Sequence, residues 1–235
     1  VYADLTNVSE EEEEIFRRRF LHGLDIYGDY KSRPIEIAPF HHAFNGGILI
    51  GEMSQTEIRG LYACGEVASG PHGADRLGGN MMAACLVFGR RAGRYAAERA
   101  RKTIYKEFKE IIRAKYEEIT KTIDRPSYPA RCQDLKELIQ IEMWKNALIV
   151  RTERGLRKTL NLLKKLEEIT NKISIDRKNR PKDVFSLRKL ITTGKIVLKA
   201  ALKRKERRGG HYREDFPRIR KKFNRPIIIR GENAN

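Results

Sequence analysis

The chain lacks most of the features that would place it quickly. It has three cysteines, Cys64, Cys85 and Cys132, an odd number at wide spacing with no CxxC pair. Neither a zinc site nor a disulfide framework is therefore indicated, and a reducing cytoplasm is the simplest setting. No apolar run approaches the roughly 20 residues needed to span a bilayer, and no signal peptide opens the sequence. No helix-turn-helix signal, zinc pattern or aromatic stacking platform supports specific nucleic-acid binding. No GxGxxG fingerprint occurs, and the chain opens on Val1 without a strand–glycine–helix unit. The expectation is a fragment, a processed product or a start at an alternative codon.

What is present begins with charge. The 235 residues carry a net charge of +18, spread unevenly. Residues 1–100 hold 11 Lys+Arg against 14 Asp+Glu, a net of −3, whereas residues 101–235 hold 38 against 17, a net of +21. Most of the cations alternate with acids on amphipathic stretches such as Leu160 to Ile169, the pattern of a solvated helix face. Richness in Lys, Arg, Glu and Ile also fits a heat-adapted protein. A hydrophobic content of 40% excludes disorder and is enough for a core in one large or two small domains.

The periodicity predicts an α+β chain. Ser9 with Glu12 three residues on signals a helix through about His22. Residues 24–45 read as irregular, broken at Pro34 and Pro39. Gly47–Ile50 and Ile58–Cys64 read as short buried strands. A glycine-rich loop covers 65–79, and Asn80 caps a helix through about Arg101 whose small residues (Ala83, Ala84, Gly89, Ala92, Gly93) let it lie close to a sheet or cofactor. Helices near 104–123, 131–149, 152–173 and 183–207, with breaks at Pro126, Pro129, Arg151 and Asn179–Pro181, suggest an antiparallel helical bundle. His211 to Asn235 reads as an irregular tail with a short strand at Pro226–Ile229. His211 and Arg213 tie this tail to the bundle.

The chemistry concentrates in His42-Ala-Phe-Asn-Gly-Gly-Ile48, Gly60-Leu-Tyr-Ala-Cys-Gly-Glu66 and His72-Gly-Ala-Asp-Arg-Leu-Gly-Gly-Asn80. These place a histidine, an acid and an arginine among seven glycines. Glycine lets backbone approach a ligand closely, and the planar fork of arginine matches a carboxylate with two parallel hydrogen bonds. That composition suggests a pocket for a flat cofactor and a small anion. His41 and His72 read as structural, and Cys64 and Cys85 as inert core residues.

With Val87-Phe-Gly-Arg-Arg-Ala-Gly93, Met143-Trp…Ile149-Val-Arg-Thr-Glu153 and Glu206-Arg-Arg-Gly-Gly-His-Tyr-Arg-Glu-Asp-Phe-Pro217, these blocks form six in order over nearly the whole chain. They resemble the C-terminal portion of the succinate dehydrogenase and fumarate reductase flavoproteins and L-aspartate oxidase. The resemblance implies residues 1–40 as the end of a capping region and 41–103 as the C-terminal part of an FAD-binding domain. Residues 104–210 follow as the helical bundle and 211–235 as the tail.

The resemblance further implies FAD as cofactor and a small C4 dicarboxylate or L-aspartate as substrate. His42 and Arg76 are then the carboxylate ligands. Glu66 holds the flavin's ribityl hydroxyls, and the backbone at Met81 and Met82 contacts the isoalloxazine ring. No catalytic residue is expected in this chain, since the family's proton-transfer arginine and its dinucleotide fold lie upstream. The implied partners are that N-terminal half, in the same polypeptide or as a separate subunit, and an iron–sulfur subunit. The implied location is the cytoplasm, including the inner face of the membrane. Three departures stand out. Asp75 replaces asparagine, and a carboxylate there either weakens the grip of Arg76 on an anion or orients it. The loop from Glu66 to Arg76 is about one residue short, and Met81 replaces serine. The alternative reading is a non-catalytic scaffold that binds a partner through the basic bundle.

Overall fold

A computed structural model describes residues 1–20, 24–38, 42–103, 108–123 and 128–231. The chain divides into two compact units, Val1–His42 and Ala43–Asn235.

In the first unit, strand β1 (Tyr2–Ala3) pairs antiparallel with β2 (Ile35–Glu36), Tyr2 opposite Glu36 and Ala3 opposite Ile35. Helix α1 (Glu10–Phe20) starts with the expected capping box. Ser9 Oγ accepts from the Glu12 N–H at 3.2 Å, and the Glu12 carboxylate accepts from the Ser9 N–H at 2.9 Å. Acids Glu10–Glu13 at the positive end and bases Arg17–Arg19 at the negative end follow the helix dipole. Glu13 also pairs with Lys31 at 3.3 Å, which ties α1 to the turn around buried Tyr30. The expected end at His22, the break at Pro39 and the reading of His41 lie outside the described residues.

The second unit begins with β3 (Ile48–Leu49), parallel to β4 (Ala68–Ser69), Ile48 opposite Ala68. The expected strand over Ile58–Cys64 does not form. Gly60 takes a φ of +89°, and the Leu61 N–H turns back to Ile58 O at 3.0 Å. Only Tyr62 makes a bridge, to Gln55, inside a small hairpin closed by Ala63 N–H to Ser54 O at 3.0 Å. Nor is the segment buried throughout, since Ile58 stands well out into solvent.

Helix α2 runs over Asn80–Arg101 as expected, but its N-cap is Gly79 and Asn80 is already helical. Gly79 has φ +85°, a left-handed conformation that glycine adopts without a Cβ penalty. The hairpin and α2 are stitched together by Ser54 Oγ–H to Phe88 O at 2.8 Å and Tyr62 O–H to Tyr95 O at 3.3 Å.

Helix α3 (Lys109–Ile123) follows, and the expected break at Pro126 lies outside the described residues. Helices α4 (Cys132–Ala147), α5 (Glu153–Thr170) and α6 (Pro181–Lys203) share one core. It is built on fully buried Ile139, Leu156, Leu163, Val184, Leu187, Ile191 and Leu198. Glu142 pairs with Lys158, and Lys136 with Asp183. With the short 148–152 connection, and the Asn179–Cys132 bond that brings the starts of α4 and α6 together, these pairs set α4 antiparallel to α5 and parallel to α6, so α5 and α6 are antiparallel as well. Helix starts follow local chemistry. Thr152 Oγ1 accepts the Gly155 N–H at 3.1 Å, Pro181 occupies the first turn of α6 rather than breaking before it, and buried Asn179 caps α4 by accepting the Cys132 N–H at 2.8 Å.

The tail is more ordered than expected. Strand β6 (Tyr212–Arg213) pairs in parallel with β5 (Val150–Arg151), and a short 3-10 turn covers Lys221–Phe223. Arg213 is fully buried. It donates to Ala201 O at 2.8 Å, near the negative end of α6, and grips Asp215 through two 2.7 Å bonds. No strand forms over Pro226–Ile229.

Candidate active site

The glycine-rich segment 65–79 carries β4, leads from it into the start of α2, and is held from the side by the 44–47 segment. Gly47 makes this approach possible: a Cβ there would stand 2.2 Å from Val67 O. The next residue donates, Ile48 N–H to Val67 O at 2.7 Å. With the two segments so close, the Phe44 N–H reaches the Glu66 carboxylate at 2.8 Å. The Asn45 amide donates to Asp75 Oδ1 at 3.3 Å, and the same oxygen accepts the Arg76 N–H at 2.8 Å. Asp75 therefore fixes the backbone at Arg76 more closely than it engages the guanidinium, whose nearest approach is 3.8 Å.

Two polar atoms in this arrangement are buried without a partner, Arg76 Nε and Asn45 Oδ1. An unpaired buried donor on a charged group is costly unless something else binds it. Arg76 lines an open cleft of about 480 Å³ with Pro71, His72, Asp75, Asn80 and Phe88. The first turn of α2 contains no acid and no side chain caps it, so its positive end is left for a ligand to meet. Along the same helix Met82, Leu86 and Val87 expose apolar surface.

Of the residues expected to form the site, Glu66, Arg76, Met81 and Met82 belong to the second unit. Glu66 and Arg76 are joined through the Phe44–Asn45 segment, while Met81, half-buried, and Met82, exposed, sit in the first turn of α2. His42 is the last residue of the first unit and is exposed. His72 lines the cleft. Asn45 was not among the expected residues. Its place in the His42–Ile48 block, three residues from the histidine, was the available signal.

Comparison with known proteins resolves what this arrangement belongs to. Residues 9–82 match the family model of the FAD binding domain, and residues 136–229 that of the fumarate reductase flavoprotein C-terminus. One component of the CoM/CoB fumarate reductase of Methanothermobacter marburgensis is 33% identical over 97% of this chain and 42% of its own length. The chain belongs to the succinate dehydrogenase, fumarate reductase and L-aspartate oxidase flavoprotein family. L-Aspartate oxidase of Pyrococcus furiosus is 32% identical over 100% of this chain and 43% of its own length. The FrdA chain of E. coli quinol fumarate reductase superposes with a TM-score of 0.80 at 26% identity, over 94% of this chain and 40% of that one. The chain thus spans about two-fifths of the length of the relatives it matches.

FAD is the cofactor of this family, and the residues present fit it. Gly65, Gly73, Gly78 and Gly79 each face open space where a Cβ would stand, which leaves the loop backbone accessible to a flat ring system. The exposed apolar face of α2 adjoins that backbone. Among the described residues the Glu66 carboxylate accepts one hydrogen bond, from Phe44, and can accept more.

Proposed function

We propose that this chain forms the substrate-carboxylate side of an FAD-dependent oxidoreductase that interconverts succinate and fumarate or oxidises L-aspartate. The observation that carries the reading is Arg76. An arginine with only a fifth of its side chain exposed and an unpaired Nε stands in a glycine loop at the open end of α2. Its fork binds one substrate carboxylate bidentately; the family resemblance assigns the other carboxylate to His42. Asp75 orients the arginine through its backbone and leaves the guanidinium nitrogens for the ligand. With FAD bound, Glu66 would accept from the ribityl hydroxyls, and the backbone at Met81 and Met82 would contact the isoalloxazine ring. Bound FAD would supply the redox chemistry, as acceptor or donor of a hydride equivalent. The fixed donors of Arg76 and of the α2 N-terminus stabilise negative charge without solvent reorganisation. Apolar Met82, Leu86 and Val87 keep water from that face.

The partners on this reading are the N-terminal FAD-binding half, within the same polypeptide or as a separate subunit, and an iron–sulfur subunit that carries electrons in the respiratory arrangement. Among the described residues no helix is long and apolar enough to cross a membrane. No observation favours the scaffold alternative.

Turnover of the FAD-loaded protein with succinate, fumarate and L-aspartate, measured beside Arg76→Lys, tests the reading. Lysine keeps the charge and loses the fork, so kcat/KM for the true substrate falls by roughly 100-fold with flavin content unchanged. Wild-type kinetics in Arg76→Lys would remove the arginine from the site.

A further inference from the structure

One block of the sequence is not absorbed by this function: Glu206-Arg-Arg-Gly-Gly-His211, at the far end of the chain from the glycine loop. It forms a tight turn closed in both directions, Arg208 N–H to His211 O at 2.8 Å and His211 N–H to Arg208 O at 3.0 Å. The turn is anchored from behind. Fully buried Glu206 accepts from Arg204 Nη1 at 2.7 Å, from Arg208 Nε at 2.7 Å and from the Arg220 N–H at 2.8 Å. The His211 ring is fixed between Arg151 Nη1 at 2.8 Å and Arg204 O at 3.1 Å.

The front of the turn meets the glycine loop. Gly209 has φ +54°, and a Cβ built on it would stand 2.5 Å from Ala74 O, 2.9 Å from Ala74 C and 3.1 Å from Ala74 Cβ. Ala74 directly precedes Asp75 and Arg76. Gly210, its neighbour in the turn, faces nothing within 4 Å and is outside the left-handed region. The contact is thus specific to one glycine. The stretch it touches has little rigidity of its own: between β4 and α2 it contains three glycines at positive φ, Gly70, Gly73 and Gly79, and no regular structure.

We propose that Gly209 is a positioning residue for dicarboxylate binding. Its turn, braced by the helical bundle, is the stop against which the Ala74 carbonyl rests, and that stop fixes the loop carrying Arg76. The proposal rests on Arg76 being the carboxylate ligand. Any side chain at 209 drives the carbonyl back by about 1 Å to restore an ordinary contact, and misplacement on that scale costs on the order of 10- to 100-fold in a positioned interaction.

The test is equilibrium binding of malonate, a non-reacting dicarboxylate, to the FAD-loaded protein by titration calorimetry, with flavin content and Tm recorded for each variant. Gly209→Ala weakens malonate by at least about tenfold, keeps its flavin and loses some Tm from strain at positive φ. Gly210→Ala binds within about twofold of wild type, since its Cβ enters open space. In an Arg76→Lys background, Gly209→Ala adds less than about twofold, because the two act through one side chain. If Gly209→Ala does not fold, Arg208→Lys loosens the same turn from its Glu206 anchor without adding an atom at the contact, and weakens malonate about threefold. Wild-type affinity in the folded variant, or a full additional loss on top of Arg76→Lys, overturns the positioning role. Wild-type affinity in Arg76→Lys alone overturns the carboxylate reading instead.

Discussion

Replacing Glu206 by glutamine removes the charge at the centre of the Arg204–Arg208–Arg220 cluster while keeping the shape. The Glu206 side chain has no exposed surface, and its two oxygens receive donors from Arg204, Arg208 and the Arg220 N–H at 2.7–3.1 Å. Hydrogen bonding from Arg208 leads, and, against the opposing cost of burial, these partners hold the carboxyl at about 2, from an ordinary value of 4.5. At 1.36 kcal/mol per unit this corresponds to about 3 kcal/mol of stability. Breaking a buried pair can cost more, roughly 3–5 kcal/mol. Here Arg204 keeps the carbonyls of Phe223 and Arg225 as partners, so the low end applies.

For a chain of this size a loss of about 3 kcal/mol lowers Tm by roughly 6–12 °C. The folded pKa is depressed, so the contribution is complete above pH 4.5 and is lost as pH falls toward 2. The Tm gap between wild type and Glu206→Gln, followed by circular dichroism, should be constant from pH 8 to 5 and narrow below 4.5. A gap under about 2 °C at pH 7, or one that stays constant down to pH 2.5, would refute the reasoning.

Two further variants probe neighbouring parts of the bundle. Burial and the charges of Arg151, Arg204 and Arg213 push the His211 imidazole down to about 4, from 6.5. The folded protein therefore resists protonation, and stability is full above pH 6.5 and falls between 6.5 and 4; His211→Gln should flatten that limb of the pH–Tm curve and leave the Glu206 limb below 4.5 in place. Leu163→Ala, at a fully buried site where α5 meets Gly194 of α6, should cost about 2–5 kcal/mol in denaturant unfolding without changing flavin content.

The helices were legible because their signals are local. The Ser9–Glu12 box, the small-residue face of α2 and the apolar repeat of α5 each specify an element from within ten or twenty residues. The strand expected at Ile58–Cys64 failed for the opposite reason: an apolar run reads as extended until one glycine, Gly60, takes a positive φ and turns it into a hairpin. The tail read as irregular because β6 is two residues long and depends on β5 sixty residues earlier, a pairing without local periodicity. Within the candidate site the family blocks picked out Glu66 and Arg76, but not the links between them. The Phe44 N–H to Glu66 carboxylate bond uses a backbone donor, which has no side-chain signature, and the Gly209–Ala74 contact joins segments more than 130 residues apart. Both depend on where glycine allows two backbones to touch, which only the folded chain reveals.

The division of labour within the candidate site is tested most directly by measuring two properties of the FAD-loaded protein, flavin stoichiometry and malonate affinity, in Glu66→Ala and Arg76→Lys. The account predicts a crossed result. Glu66→Ala loses flavin while the fraction that retains it binds malonate as wild type does. Arg76→Lys keeps its flavin and binds malonate at least about tenfold more weakly. Loss of flavin in both, or unchanged malonate affinity in Arg76→Lys, would contradict it.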